Sequence, residues 1–232
     1  MTANRSRTLG IVIALAGLVA AFVCVSAFPA VEGLGTKVRL PVFHGALTWV
    51  NLAAFTLMGV VAIVSLATRR ESVYRWEEAL RWIAVPMWLL GSGLGLLAAL
   101  NTWDFTGSKA SPISVVTADP RLMAQFWIML AALLLIALEF VLQDRHWQSG
   151  LDIAFVGLMW VVLMQAILGP GRALHPDSPV LNSDELGIKL LFFGMVISLS
   201  VATLGAAWAV VVTRTQWCAK RSAEKELAAE GA

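Results

Sequence analysis

Charged residues leave long gaps along this chain, and the gaps fall into six apolar runs of roughly the length a helix needs to cross a hydrocarbon layer of about 30 Å. The runs cover about 9–30, 42–68, 82–103, 122–142, 153–168 and 188–213, with a short charged tail at 214–232. None alternates apolar and polar positions over strand-length stretches, which excludes a membrane barrel. Backbone facing lipid must satisfy its own hydrogen bonds, so the runs are expected to be α-helices. The fold class predicted is all-α: a single polytopic bundle of six transmembrane helices. The fifth run is the shortest and stops at Gly169-Pro170-Gly171, which cannot continue a helix. Asn182 to Glu185 has the spacing of a capping box, with a side-chain oxygen followed three residues later by a carboxyl, and is expected to open the sixth helix.

Composition supports this division. Of 232 residues, 59% are hydrophobic and 14% charged, against roughly 45–50% and about 25% in soluble domains. That much apolar surface cannot be hidden in a globule of this size, so a soluble enzyme, a disordered chain and a disulfide scaffold are excluded. The net charge of +2 is too mild to suggest a nucleic-acid partner. Its distribution is informative. With the N-terminus inside, Arg5, Arg7, Arg69, Arg70, Arg75, Arg81, Arg145, Arg214, Lys220, Arg221 and Lys225 fall on the cytoplasmic side. Lys37, Arg39, Lys109, Arg121, Arg172 and Lys189 fall outside, a division of eleven to six. The positive-inside rule then places both termini in the cytoplasm and membrane lipid around the spans. Trp76, Trp82, Trp147 and Trp217 would lie at the inner interface and Trp103 at the outer one. The first run, preceded by Arg5 and Arg7, reads as a helix with a signal-anchor role open to it.

Chemistry gathers at the three outer connections. His44 stands at the mouth of the second helix, and His175 lies in the loop before the sixth. The remaining histidine, His146, belongs to an inner connection. Two neutral imidazoles approaching a planar ring from opposite sides are what a six-coordinate haem iron requires. Zinc would need three or four ligands; Asp104, Asp119, Asp177 and Asp184 could contribute, but no metal-ligand spacing is visible. An interfacial polar residue and a solvated loop residue are the plainer alternatives.

The segment Phe43-His44-Gly45-Ala46-Leu47-Thr48-Trp49 resembles the Phe-His-Val-Pro-x-x-Trp segment of the haem-handling CcmC/CcsA family of cytochrome c maturation. Leu174-His175-Pro176 is similar to that family's Leu-His-Gln-Pro. Asn101-Thr102-Trp103-Asp104, with Asp119-Pro120-Arg121-Leu122, resembles its tryptophan-rich motif ending in Trp-Asp-x-Arg-Leu. The chain diverges in this loop, where Trp103 stands alone and Ala118 precedes Asp119. The resemblance implies a non-covalent, b-type haem held at the outer face, with His44 and His175 as axial ligands to its iron. Trp103 and Trp127 would stack on the porphyrin and Asp104 and Asp119 would complete the motif. Arg121 and Arg172, or Lys37 and Arg39, would pair with the propionates. It also implies a non-catalytic protein of the bacterial cytoplasmic (inner) membrane that passes haem to a periplasmic haem chaperone, alongside other cytochrome c maturation subunits. An accessory subunit of a membrane respiratory complex, or a small transporter, is the competing expectation.

Other features read as packing. Gly91, Gly93 and Gly95 lie inside a span, where small residues admit close helix approach. Pro86 in the same span is expected to kink it. Asn51 and Gln165 are expected to bond to neighbouring helices. Glu139, a carboxylate inside an apolar run, is expected either to snorkel and pair with Arg69 or Arg145, or to relay protons.

Overall fold

The computed structural model of the chain describes residues 3–169, 180 and 182–230, with the backbone alone for 218–230. Among them are seven α-helices: α1 (Ala3–Ala27), α2 (Arg39–Thr68), α3 (Glu71–Thr102), α4 (Pro112–Thr117), α5 (Pro120–Val141), α6 (Arg145–Leu168) and α7 (Leu186–Glu230). All but α4 are long and apolar enough to cross a membrane, so the chain is a multi-pass, all-α membrane protein.

The helices extend well beyond the apolar runs. α3 begins at Glu71, eleven residues before the expected start, and its first turns carry two i,i+4 pairs, Glu71–Arg75 toward the surface and Glu77–Arg81 in the interior. The joint between α2 and α3 shrinks to Arg69 and Arg70. Arg69 takes the left-handed conformation (φ 54°) and returns its N–H to the Ser65 carbonyl, closing α2. α6 begins at Arg145 instead of about 153, since the Asp144 carboxylate accepts from the His146 and Trp147 amides. The loop between α3 and α5 contains α4, capped by the Ser111 hydroxyl accepting from Ser114 N at 3.2 Å. The tail does not form a separate unit: α7 passes position 213 without a break. α7 starts at Leu186, after the expected Asn182–Glu185 box, and just before it the Ser183 hydroxyl receives Glu185 N at 3.1 Å.

The α2–α3 hairpin forms the middle of the bundle. α2 packs on α3, α6 and α7, while α3 packs on α2, α5 and α7, and α5 packs on α6. One buried cluster, built on Phe55, Met58, Leu80, Trp88, Ile128, Phe155 and Met159, joins α2, α3, α5 and α6. A second, built on Phe28, Val42, Leu47, Phe192, Met195 and Leu199, joins α2 and α7 to the end of α1. α1 lies antiparallel on α7 and touches little else. The approach depends on glycine: a Cβ on Gly17 would stand 2.6 Å from Ser198 O, and one on Gly205 would stand 2.8 Å from Ala14 N.

α3 continues through Pro86 as one helix. With its amide turned to satisfy both groups, Asn51 of α2 donates to Ala84 O (3.0 Å) and accepts from Trp88 N (2.6 Å). An unbroken helix would join that carbonyl and that amide to each other. The side chain thus supports α3 beside the proline, whose missing N–H and ring disturb the ladder.

Candidate functional site

His44 sits inside the bundle, 6% exposed, one and a half turns into α2. Its start is tied down by Arg39, whose Nε donates to Phe28 O at 3.0 Å. The imidazole enters a notch in α3. Its Nδ1 is 2.9 Å from Gly91 O, and a Cβ on Gly95 would meet its Cε1 at 2.6 Å. The glycines of this span therefore do pack closely, and what one of them admits is the histidine ring. On the other side Nε2 lies 3.4 Å from Gln125 Nε2 of α5. Gln125 is itself fixed through its backbone carbonyl, which accepts from Trp88 Nε1 at 3.1 Å.

A carbonyl oxygen can only accept, so Nδ1 carries the proton and Nε2 keeps the lone pair. Donation from an imidazole N–H to a backbone carbonyl is how metal-ligating histidines are usually oriented. This bond selects one tautomer and aims the basic nitrogen between α3 and α5, at the Gln125 side-chain amide.

The remaining expected residues divide by their surroundings. Asp119 is completely buried and caps α5: its Oδ1 accepts from Arg121 N (2.8 Å) and Leu122 N (3.2 Å). It sets the half-buried Arg121 at the same end of the bundle as His44. Trp103 is the half-buried residue that closes α3, its N–H bonded to Ala99 O at 3.0 Å. Asp104 follows, exposed, accepting from the amide (2.8 Å) and hydroxyl (2.6 Å) of Thr106. Those two donors hold its carboxyl below the usual carboxylate range. Trp127 is 56% exposed and stands edge-on to Phe126, facing away from the bundle over a shallow apolar groove with Leu130, Leu134 and Leu158. His175 and Arg172 lie outside the described residues, as do Asp177 and the glycine–proline stop after residue 169.

A second polar constellation lies at the opposite end, on segments that pattern alone reads as connections. Arg81 of α3 grips Asp152 of α6 with both arms of its guanidinium, Nε–Oδ1 at 3.0 Å and Nη2–Oδ2 at 2.5 Å. Its Nη1 reaches Glu139 Oε2 of α5 at 2.5 Å, and Glu77 Oε1 is 3.5 Å from Nη2. Glu139 therefore pairs with Arg81, and neither expected partner takes that place: Arg145 pairs with Glu71 at 3.0 Å, and Arg69 closes α2. The signal for this cluster was present in the sequence. Positions 74, 77, 81, 84, 88, 91, 95 and 98 follow the alternating three-and-four spacing of one helix face, and every one is buried. Among the described residues no group of three His, Cys, Asp or Glu side chains is arranged to hold a metal ion.

Compared with protein-family models, with curated proteins and with solved structures, the chain matches none.

Proposed function

We propose that this chain is a haem-handling protein of the CcmC/CcsA type. It is a non-catalytic, multi-pass protein of the bacterial cytoplasmic membrane that holds haem at its outer face and delivers it to a periplasmic carrier. The observation that carries this reading is the bond from His44 Nδ1 to Gly91 O at 2.9 Å. It presents Nε2 as the lone-pair nitrogen of an oriented imidazole, which is what an axial ligand to haem iron must be. A second axial ligand would come from His175.

Haem binding in this reading requires the Gln125 amide to leave Nε2, so the buried imidazole is a guarded ligand and occupancy is reversible. That suits a protein whose task is transfer. Trp103, at the end of α3, is the candidate porphyrin contact. Arg121, and Arg172 if it joins the site, would meet the propionates as bidentate donors to carboxylates. Trp127, facing outward, serves as an interface anchor in lipid, and Asp119 serves α5 as its cap. The bound haem would supply the absorption by which the complex is followed.

The full-length protein, purified in detergent and supplemented with haem, is expected to show a Soret band of six-coordinate, low-spin haem. His44→Ala should abolish it, and His175→Ala should leave a five-coordinate or weakly bound species. Gln125→Ala should raise occupancy at a given haem concentration. A band unchanged in both histidine variants rejects the axial pair. No band at all, after supplementation, rejects haem handling and leaves an accessory subunit or a small transporter.

A further inference from the structure

Three side chains along one face of α2 meet α3 in order. His44 reaches Gly91 O at 2.9 Å and fills the space beside Gly95; Leu47 lies 3.6 Å from where a Gly91 Cβ would stand; Asn51 spans Ala84 O and Trp88 N. The surface they meet is smooth, since Ala84, Gly91 and Gly95 offer a methyl or bare backbone. Apolar contact of that kind is non-directional and does not fix how far one helix slides along another. Hydrogen bonds do, because they are lost within a few tenths of an ångström. A slip of one residue along α3 moves it by about 1.5 Å and turns it by about 100°. Among the described residues, α2 gives side-chain hydrogen bonds to the backbone of α3 from His44 and Asn51 alone.

Pro86 explains why the second tie is placed where it is. It has no N–H for the Trp82 carbonyl, and its ring crowds that carbonyl. Ala84 and Trp88 stand two residues to either side, so a side chain joining Ala84 O to Trp88 N holds α3 where its own ladder is weakest. Asn51 is 1% exposed, and water does not compete for either bond. The bond to Trp88 reaches further. The indole lies tilted against Phe55, one turn after Asn51, with ring centroids 5.8 Å apart. Its Nε1 donates to Gln125 O at 3.1 Å, and the Gln125 amide lies 3.4 Å from His44 Nε2. Asn51 thus bears on both nitrogens of the imidazole: through α3 on the acceptor for Nδ1, and through Trp88 on the amide facing Nε2.

We propose that Asn51 is the positioning residue of the His44 site. By bonding α3 on both sides of Pro86, it fixes the register at which Gly91 O and the Gly95 notch receive the imidazole. It acts through α3 and Trp88, two turns along α2 from His44 itself. Its effect on haem affinity rests on the haem-handling reading; its effect on the His44 tautomer does not.

The tautomer can be read by nitrogen NMR of the haem-free full chain, isotope-labelled at histidine, in lipid nanodiscs at mildly alkaline pH. A protonated ring nitrogen and one bearing a lone pair resonate far apart. The His44 signal, identified by its loss in His44→Ala, is expected to show Nδ1 protonated and Nε2 bare. Asn51→Leu keeps the volume and removes both bonds, and should give a mixture in which Nε2–H is present. Thr56→Val breaks a different tie of α2, the 3.1 Å bond from Trp160 of α6, and should leave the tautomer unchanged. In haem titrations followed by the Soret band, Asn51→Leu should weaken binding about 10–100-fold, as loss of an orienting partner does at other metal ligands. A measurement on the wild type stands even if the variant does not fold. With carbon label at asparagine and nitrogen label at tryptophan, a through-space contact between the Asn51 side-chain carbonyl and the Trp88 amide is expected. Absence of that contact, an unchanged tautomer in Asn51→Leu, or an equal change in Thr56→Val would overturn the proposal. A tautomer that responds to Asn51→Leu in a protein that binds no haem rejects the haem reading and upholds the positioning role.

Discussion

Gly91, Gly93 and Gly95 share one short stretch of α3 yet meet three different surroundings. A Cβ on Gly95 would collide with the His44 ring at 2.6 Å, one on Gly91 would touch Leu47 at an ordinary 3.6 Å, and one on Gly93 would meet nothing. Three alanine variants, compared by thermal midpoint in detergent, should therefore separate. Gly95→Ala should destabilise by about 1–3 kcal/mol, the usual cost of overfilling a packed site, and should displace His44. Gly91→Ala should be near neutral. Gly93→Ala should stabilise by up to about 1 kcal/mol, through helix propensity alone. Equal effects at all three positions would show that His44 does not occupy the notch. At this scale the sequence revealed residue types but not their directions. His44 was legible as a residue to watch, because histidine is rare beside an apolar run. Its burial was not, because the notch that receives it is made by a glycine fifty-one positions away. Asp119 caps α5 ahead of Pro120, and an acid before a helix leaves that same signature whether or not it also serves a ligand.

Single elements were legible wherever a span is bounded by a strong break, and illegible wherever a helix continues through charge. α5 begins at Pro120, two residues before the apolar run, since Asp119 and Pro120 form a helix start that no tertiary contact is needed to explain. α3 was shortened by its charged first eleven residues. Counting charges as boundaries assumes that charged residues face water, and Glu77 and Arg81 are buried against each other, with Arg81 on Asp152. The periodic stripe from Tyr74 to Ala98 marks the true extent, and a reading by phase in place of polarity recovers it. α1 makes a further element-scale prediction. Its seam with α7 is backbone against backbone at Gly17, where the neighbours are Ser198 O and Ala202 N at 2.6 and 2.7 Å from a Cβ. Backbone cannot step aside as a side chain can. Gly17→Val should part α1 from α7 while leaving the α2–α3 hairpin and the His44 notch intact. Disulfide cross-linking between cysteines introduced along the seam should then fail, while folding of the rest, read as Arg81-cluster-dependent stability, should persist. Efficient cross-linking in the variant would refute a seam set by glycine.

For the whole molecule, the number of spans followed from composition alone, because apolar length is a property of the chain and not of its packing. The handedness of insertion rests on a different quantity, the eleven-to-six division of basic residues. It is open to direct test through Cys218, the one cysteine in the charged tail. In a Cys24→Ser background, a membrane-impermeant thiol reagent should label Cys218 in inverted vesicles and not in intact cells. Labelling of intact cells would reverse the orientation and put His44 on the cytoplasmic side. The two polar constellations were unequally visible at this scale. The one near His44 announces itself by rare residues in exposed-looking loops. The one around Arg81 is assembled from three helices, and only the bundle brings its members together.

The pairing of α1 with α7 carries a consequence for how the protein is made. A ribosome delivers α1 ahead of α2, yet the surface that α1 fits belongs to α7, five helices later than α2. Until α7 arrives, α1 meets α2 only near its end, and its glycine face is left to lipid. The hairpin of α2 and α3, by contrast, can close as soon as Thr102 has left the tunnel. Biogenesis should therefore proceed from the middle outward, with the earliest helix incorporated at the end. A chain halted before α7 would leave its opening helix adrift, a ready mark for membrane quality control.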